Sequence, residues 1–282
     1  MKNMGWQRQT RRTLKACGAL FKTRVAEQIQ YRAAALAGTS IGVFWGILQI
    51  VMFTVFFTYG NVDNIGMTLP QAISYAWMTQ IFIGTIGILG GVDGELREKI
   101  VSGNVALELC RPLDLYSHWF AKTAASRLGG SVWRMIFTLM AALLVPAALR
   151  LSLPDSVVGF ALFLLSVCSA FLLSAAYVMV LTSVRMGLTW GEGPIYALGM
   201  LAGLLSGAYL PLQLWPDFLQ TVLLLQPFAG LMDIPLRLYI GSMPPEDALW
   251  AISLQLIWAV VFIFIGRTLM SQKLKGLIVQ GG

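Results

Sequence analysis

Charge is what this sequence has least of. Its 282 residues include 20 Lys/Arg and 13 Asp/Glu, so 12% are charged, about half the usual share of roughly 25% in a globular domain. Five stretches, 33–62, 64–92, 156–184, 193–216 and 248–266, have no charge at all, and a shorter gap covers 135–149. Each of the five is longer than the ~18 apolar residues that a membrane-crossing helix needs. With 57% hydrophobic residues and a mean hydropathy of +0.73, the composition excludes a soluble globular domain and a disordered chain.

Other scarcities narrow the chemistry. Cysteine is limited to Cys17, Cys110 and Cys168, and His118 is the only histidine, so neither a disulfide framework nor a Cys/His zinc cluster is expected. A phosphate-cradling GxxxxGK[ST] loop is missing, which excludes the usual way of holding ATP on this chain. No Asp or Glu falls deep in a charge-free stretch, which argues against a proton- or sodium-driven carrier. The longest segments between apolar stretches, 93–127 and 211–247, are too short for an independent catalytic domain. HExxH is absent, and no serine has a base partner within a span, so an intramembrane enzyme has little support. No selectivity-filter run or arginine ladder marks a channel. No nucleic-acid partner is expected.

What is present reads as an all-α integral membrane protein. Six spans are predicted, at 33–59, 69–92, 128–149, 157–181, 193–210 and 248–267, with Arg134 in the third snorkelling to the headgroups. Eighteen of the twenty basic residues collect on one side of this arrangement. The positive-inside rule then puts both termini in the cytoplasm. Residues 1–32 are expected to form a cytoplasmic, basic amphipathic helix along the membrane surface. Arg8, Arg11, Arg12, Lys15 and Lys22 lie on one face of it, with Arg24 out of pattern. It reads as a topology anchor or as a lever to a cytoplasmic partner, not as a cleavable signal peptide. Residues 33–282 form the six-span domain.

Within that domain, Gly38, Gly42 and Gly46 form one GxxxGxxxG row and Gly199, Gly203 and Gly207 another. The pattern predicts faces that pack on each other or across a dimer. Gln49 and Gln80 sit mid-span, where each needs a hydrogen-bond partner or lines a polar pathway. The external segment 211–247 is apolar but broken by Pro211, Pro216, Pro227 and Pro235, so it reads as two short re-entrant helices, with an interfacial loop as the alternative. Asp233 and Arg237 are spaced i, i+4, as a local pair or an external gate.

The cytoplasmic loop 93–127 is charge-balanced and predicts two short helices around a Ser102-Gly103-Asn104 turn, ending before Pro112. In the first, Leu96, Ile100 and Val101 should face one way and Arg97, Glu98 and Lys99 the other. The run Arg97-Glu98-Lys99, Ser102-Gly103-Asn104, Leu107-Glu108-Leu109 and Arg111-Pro112-Leu113-Asp114 resembles the loop after the second span in ABC-2-type transporter permeases. It looks most like a bacterial subfamily with an SGN…RPLD loop. The resemblance extends to Tyr209-Leu210-Pro211-Leu212 and Leu214-Trp215-Pro216 before the re-entrant segment.

The resemblance implies a permease subunit of an ABC exporter, similar to type V exporters, in the bacterial cytoplasmic (inner) membrane. It implies a separate ABC ATPase subunit that holds ATP and Mg, no cofactor on this chain, and a second permease subunit, identical or related. It also implies a coupling helix here, with Glu98, Lys99, Ser102, Gly103, Asn104, Leu107, Glu108 and Arg111 at the ATPase contact. Asn104 stands where the family more often has Thr, and the following acid is displaced to Glu108, so the docking role carries over better than any single contact. The chain itself is read as a transport subunit and not an enzyme. An ATP-independent channel or carrier is the alternative.

Overall fold

The computed structural model of the chain describes residues 18–19, 21–27, 30, 32–60, 66–86, 92–110, 114–154, 156–188 and 191–275. Among these the secondary structure is entirely helical. The helices are α1 (Arg32–Tyr59), α2 (Leu69–Phe82), α3 (Gly94–Val101), α4 (Val105–Leu109), α5 (Leu115–Leu144), α6 (Val157–Arg185), α7 (Gly193–Leu205), α8 (Asp217–Leu225), α9 (Asp233–Tyr239) and α10 (Pro245–Lys275). Residues 21–27 are also helical. Of the predicted amphipathic helix, Arg8, Arg11, Arg12 and Lys15 lie outside the described residues, as does Arg111 of the loop.

Four helices are long and apolar enough to cross a membrane: α1 from Leu36, α5, α6 and α10. The predicted second and fifth spans are shorter as helices. α2 has 14 residues and α7 has 13, about 21 and 20 Å respectively, less than the ~30 Å hydrocarbon core. The chain leaves α2 through a turn at Ile83–Ile86, and 87–91 lie outside the described residues. Hydropathy measures how apolar a segment is, not whether it faces lipid. α2 is the example, because Ala72 through Phe82 are all buried inside the protein, with Tyr75 and Trp77 fully enclosed.

α6 and α10 pack along their length through small residues, including Ala170 and Ala176 on one and Ala251 and Ala259 on the other. Two polar ties fix their register. Ser166 Oγ donates to Gln255 Oε1 (3.1 Å), and Ser183 Oγ donates to the Gly266 carbonyl (3.0 Å). α1 and α5 flank α2 on the other side, and the outward faces of the long helices carry exposed apolar side chains such as Phe44, Leu164 and Phe264.

Helix ends follow local chemistry. Asp93 caps α3 by accepting from the Glu95 and Leu96 amides, Asp114 caps α5 at the Ser117 amide (2.9 Å), and Ser156 caps α6. The cap at Asp114 starts α5 thirteen residues before the predicted span, so the loop that begins at Asp93 ends at Asp114 and not at Arg127. Charge had marked the boundary, but Lys122, only 2% exposed, is carried inside α5 by an ion pair with Glu95.

Candidate functional site

α3 and α4 form a hairpin whose turn depends on Gly103, at φ +73°, where a side chain would be strained. Leu96 and Val105 pin the hairpin to a small core of Leu115, Tyr116, Trp119, Met179 and Met270. With that face buried, the opposite one is presented outward. Glu98, Ser102, Gly103, Asn104 and Leu107 are exposed, and so are Val101 (65%), Leu107 (69%) and Leu109. Of the predicted contact residues, Lys99 and Glu108 turn the other way. They pair with each other, Lys99 also reaches Glu95 (3.4 Å), and His118 Nε2 lies 3.4 Å from Glu108. Val101 is likewise not on the buried face with Leu96.

Ion pairs tie the hairpin to its neighbours. Arg24, the residue that broke the amphipathic pattern, reaches Glu95 (3.0 Å) and Glu27 (3.0 Å). Arg97 pairs with Glu192, which Arg185 also approaches (3.3 Å), so the hairpin is linked to the turn between α6 and α7. Arg267 of α10 meets Asp114 (2.9 Å). Partial burial would raise the Glu95 carboxyl, but the hydrogen bond from Lys122 and the charges of Lys122, Arg24 and Lys99 hold it below its ordinary value. For Lys99 burial pulls down, and Glu108 outweighs it, so the ammonium is raised. For Glu192 desolvation pushes up, and the hydrogen bonds and charges of Arg97 and Arg185 together outweigh it, so the carboxyl is held below its ordinary value.

A second feature is a groove of about 1020 Å³ along α1, lined among others by Gly38, Gly42, Trp45, Gln49, Gln80, Gly84, Arg127, Arg134 and Tyr209. The first glycine row faces α2 and α5. A Cβ on Gly46 would lie 3.2 Å from Gln80 and 3.4 Å from Trp77, and one on Gly38 would lie 3.6 Å from Arg134. Gln49 donates to the carbonyls of Tyr209 (3.2 Å) and Ala208 (3.4 Å), tying α1 to the loop after α7. Gln80 is buried beside Gly42 and Gly46. Arg134 lines the groove. Its guanidinium lies across Gly84, where an added Cβ would be 3.2 Å from Cζ.

The second glycine row is not one helix face. Gly199 and Gly203 are buried in α7, but Gly207 follows the helix end at φ +83°. A side chain there would meet Tyr75 Oη at 2.6 Å and Asp233 Cβ at 3.0 Å. Asp233 is completely buried and organises this end. Its Oδ1 accepts from the Leu212 amide (2.9 Å) and lies 3.2 Å from the Tyr75 hydroxyl, which also bonds the Gly207 carbonyl (2.9 Å). Arg237 Nη1 lies 3.7 Å from Oδ2, so the i, i+4 pair forms. Tyr75, the residue that makes it a tertiary junction, gave no sequence signal beyond its place in an apolar run.

Among the described residues no group of three or more His, Cys, Asp or Glu could hold a metal ion. None of the curated proteins matches the sequence. A family model described as "ABC-2 family transporter protein" matches residues 43–281, a range that contains the hairpin, the Asp233 junction and the groove lining from Trp45 onward.

Proposed function

The chain belongs to the ABC-2 transporter family and is a multi-pass membrane permease; from that premise we propose that it is the transmembrane subunit of an ATP-driven exporter. ATP and Mg are bound by a separate ABC ATPase, which docks on the α3–α4 hairpin. The observation that carries this reading is a hairpin that exposes Val101, Ser102, Asn104, Leu107 and Leu109 while Leu96 and Val105 hold it on a buried core. A hairpin anchored in this way transmits displacement to α5, α6 and α10, whose residues supply that core. Arg24 and Glu192 give two further routes, to the N-terminal segment and to the α6–α7 turn.

In this reading α2 and α7 are short spans that complete a six-span domain over 33–282. Segment 211–247 is re-entrant from the outer face, and 1–32 is the interfacial helix. Both termini are cytoplasmic, and a second permease subunit, identical or related, completes the pathway in a bacterial inner membrane. Asp233 and Arg237 act as a closed external junction, and Gln49 and Gln80 line the groove.

The test is co-expression of the full chain with a candidate ABC ATPase from the same genome. The ATPase is expected to copurify with the chain, and vesicles containing both should depend on ATP for transport. Transport that persists unchanged in ATP-free vesicles would overturn the reading in favour of a carrier.

A further inference from the structure

The groove along α1 is apolar for most of its length and ends on two guanidinium groups. Arg134 makes no ion pair among the described residues, and its Nε is buried with no hydrogen-bond acceptor. A guanidinium carries five donors and no acceptor, so burying part of it without an anion is unfavourable. Arg127 lies beside it on α5 and donates from Nε to the Thr85 carbonyl (3.2 Å), with Asp93 as the acid acting on it. No Asp or Glu lines the groove itself.

The remaining wall runs from Gly38 to Met52 along α1, about 21 Å of helix. That exceeds the ~15 Å hydrocarbon depth of one leaflet, half of the ~30 Å core. Ile41, Trp45, Leu48 and Met52 on this wall are exposed on the outer surface of the chain, so the groove opens sideways. A concave apolar track with cations at one end complements an amphiphile with an anionic head. The planar fork of arginine favours phosphate in particular, through paired N–H bonds.

We propose that this groove binds a phosphate-headed membrane amphiphile, with the phosphate at Arg134 and Arg127 and the acyl chains along Ile41, Trp45, Leu48 and Met52. Such a lipid is then the substrate class of the permease, a step that rests on the export reading. Gly38 and Gly42 of α1 leave the track open, and Gln80 stands between its polar end and its apolar length.

The test uses the purified full chain in a neutral maltoside detergent, which supplies no phosphate. Phosphatidic acid and diacylglycerol, each with brominated acyl chains, are titrated in, and tryptophan quenching is measured. The part due to Trp45 is isolated by comparison with Trp45→Phe. Phosphatidic acid is expected to quench Trp45 at concentrations at least about tenfold below diacylglycerol. Arg134→Gln should remove that advantage, as expected for loss of a charged hydrogen bond, and Arg134→Lys should keep part of it. Equal quenching by both lipids, or an advantage that survives Arg134→Gln in a protein of unchanged melting temperature, overturns the proposal. Should Arg134→Gln fail to fold, the comparison of the two lipids on the unaltered chain still decides. Competition by soluble glycerol phosphate as strong as by phosphatidic acid also overturns it, because the site would then recognise free phosphate. Lipid binding here needs no ATPase, so its failure is distinct from a failure of ATPase copurification.

Discussion

At the end of the bundle that carries α3 and α4, charged side chains of the 21–27 segment, the hairpin, α5 and the α6–α7 turn meet in a set of partly exposed ion pairs, and Asp114–Arg267 ties α5 to α10 nearby. At the opposite end one enclosed carboxylate, Asp233, gathers α2, α9 and the loop after α7, and carbonyls receive the remaining ties. Tyr239 donates to Ser152 (2.9 Å), Trp77 to Leu149 (2.7 Å) and Gln71 to Ile240 (3.0 Å). Ion pairs near water are individually weak and exchange partners. A buried junction with backbone donors has no alternative partner to move to. In the proposed export cycle it is the hairpin end that shifts, and the Asp233 end that stays in place.

The contrast breaks first at Asp233. Asp233→Ala leaves Tyr75, Leu212 and Arg237 facing an empty position and should lower the unfolding free energy by about 3 kcal/mol, read as a fall in melting temperature in detergent. Asp233→Asn, which keeps an acceptor, should lose less. A loss under 1 kcal/mol for the alanine variant would mean that the two ends do not differ as described.

The next largest effect is expected at Lys122, the buried member of the hairpin cluster. Lys122→Met fills the same space, and Glu95 keeps Arg24 and Lys99. Local protection of the 94–109 amides should fall by about 1–2 kcal/mol, measured by hydrogen exchange, with little change around Asp233.

Acid should act on the hairpin in a defined direction. The Glu95 carboxyl lies below its ordinary value in the folded chain, so the folded state binds its proton less readily than the unfolded chain does. Its contribution is complete above about pH 4.3, the usual glutamate value. It declines as the pH falls further and is gone once the folded group has also protonated. The protection factors of the 94–109 amides, which are free of the intrinsic pH dependence of exchange, should accordingly fall as the pH drops below about 4.

Arg97→Ala marks the small end of the scale. The pair with Glu192 is half-exposed on the arginine side, and its loss should change stability by no more than about 1 kcal/mol. The effect should shrink further in high salt.

The long apolar helices and the i, i+4 pair at Asp233 were legible in the sequence, because each depends on local composition or spacing. The Ser102-Gly103-Asn104 turn was legible for the same reason. The burial of α2 was not, since a central helix and a lipid-facing helix are equally apolar, and only the tertiary packing separates them. Lys99 and Glu108 read as surface charges until Glu95, Lys122 and His118 converge on them from other segments. That Arg134 lies across Gly84 was not legible either, because the two residues belong to different segments. Gly207 fitted a periodic pattern that the helix does not continue long enough to use.

The account turns on which end receives the ATPase. Leu107 on the hairpin and Leu153 at the opposite end are both exposed apolar residues, so a glutamate at either should leave the fold intact. In affinity purification of the full chain with the co-expressed ATPase, Leu107→Glu is expected to reduce the recovered ATPase by about tenfold, while Leu153→Glu leaves it at the unaltered level. Equal recovery with both variants, or loss only with Leu153→Glu, would contradict docking on the hairpin.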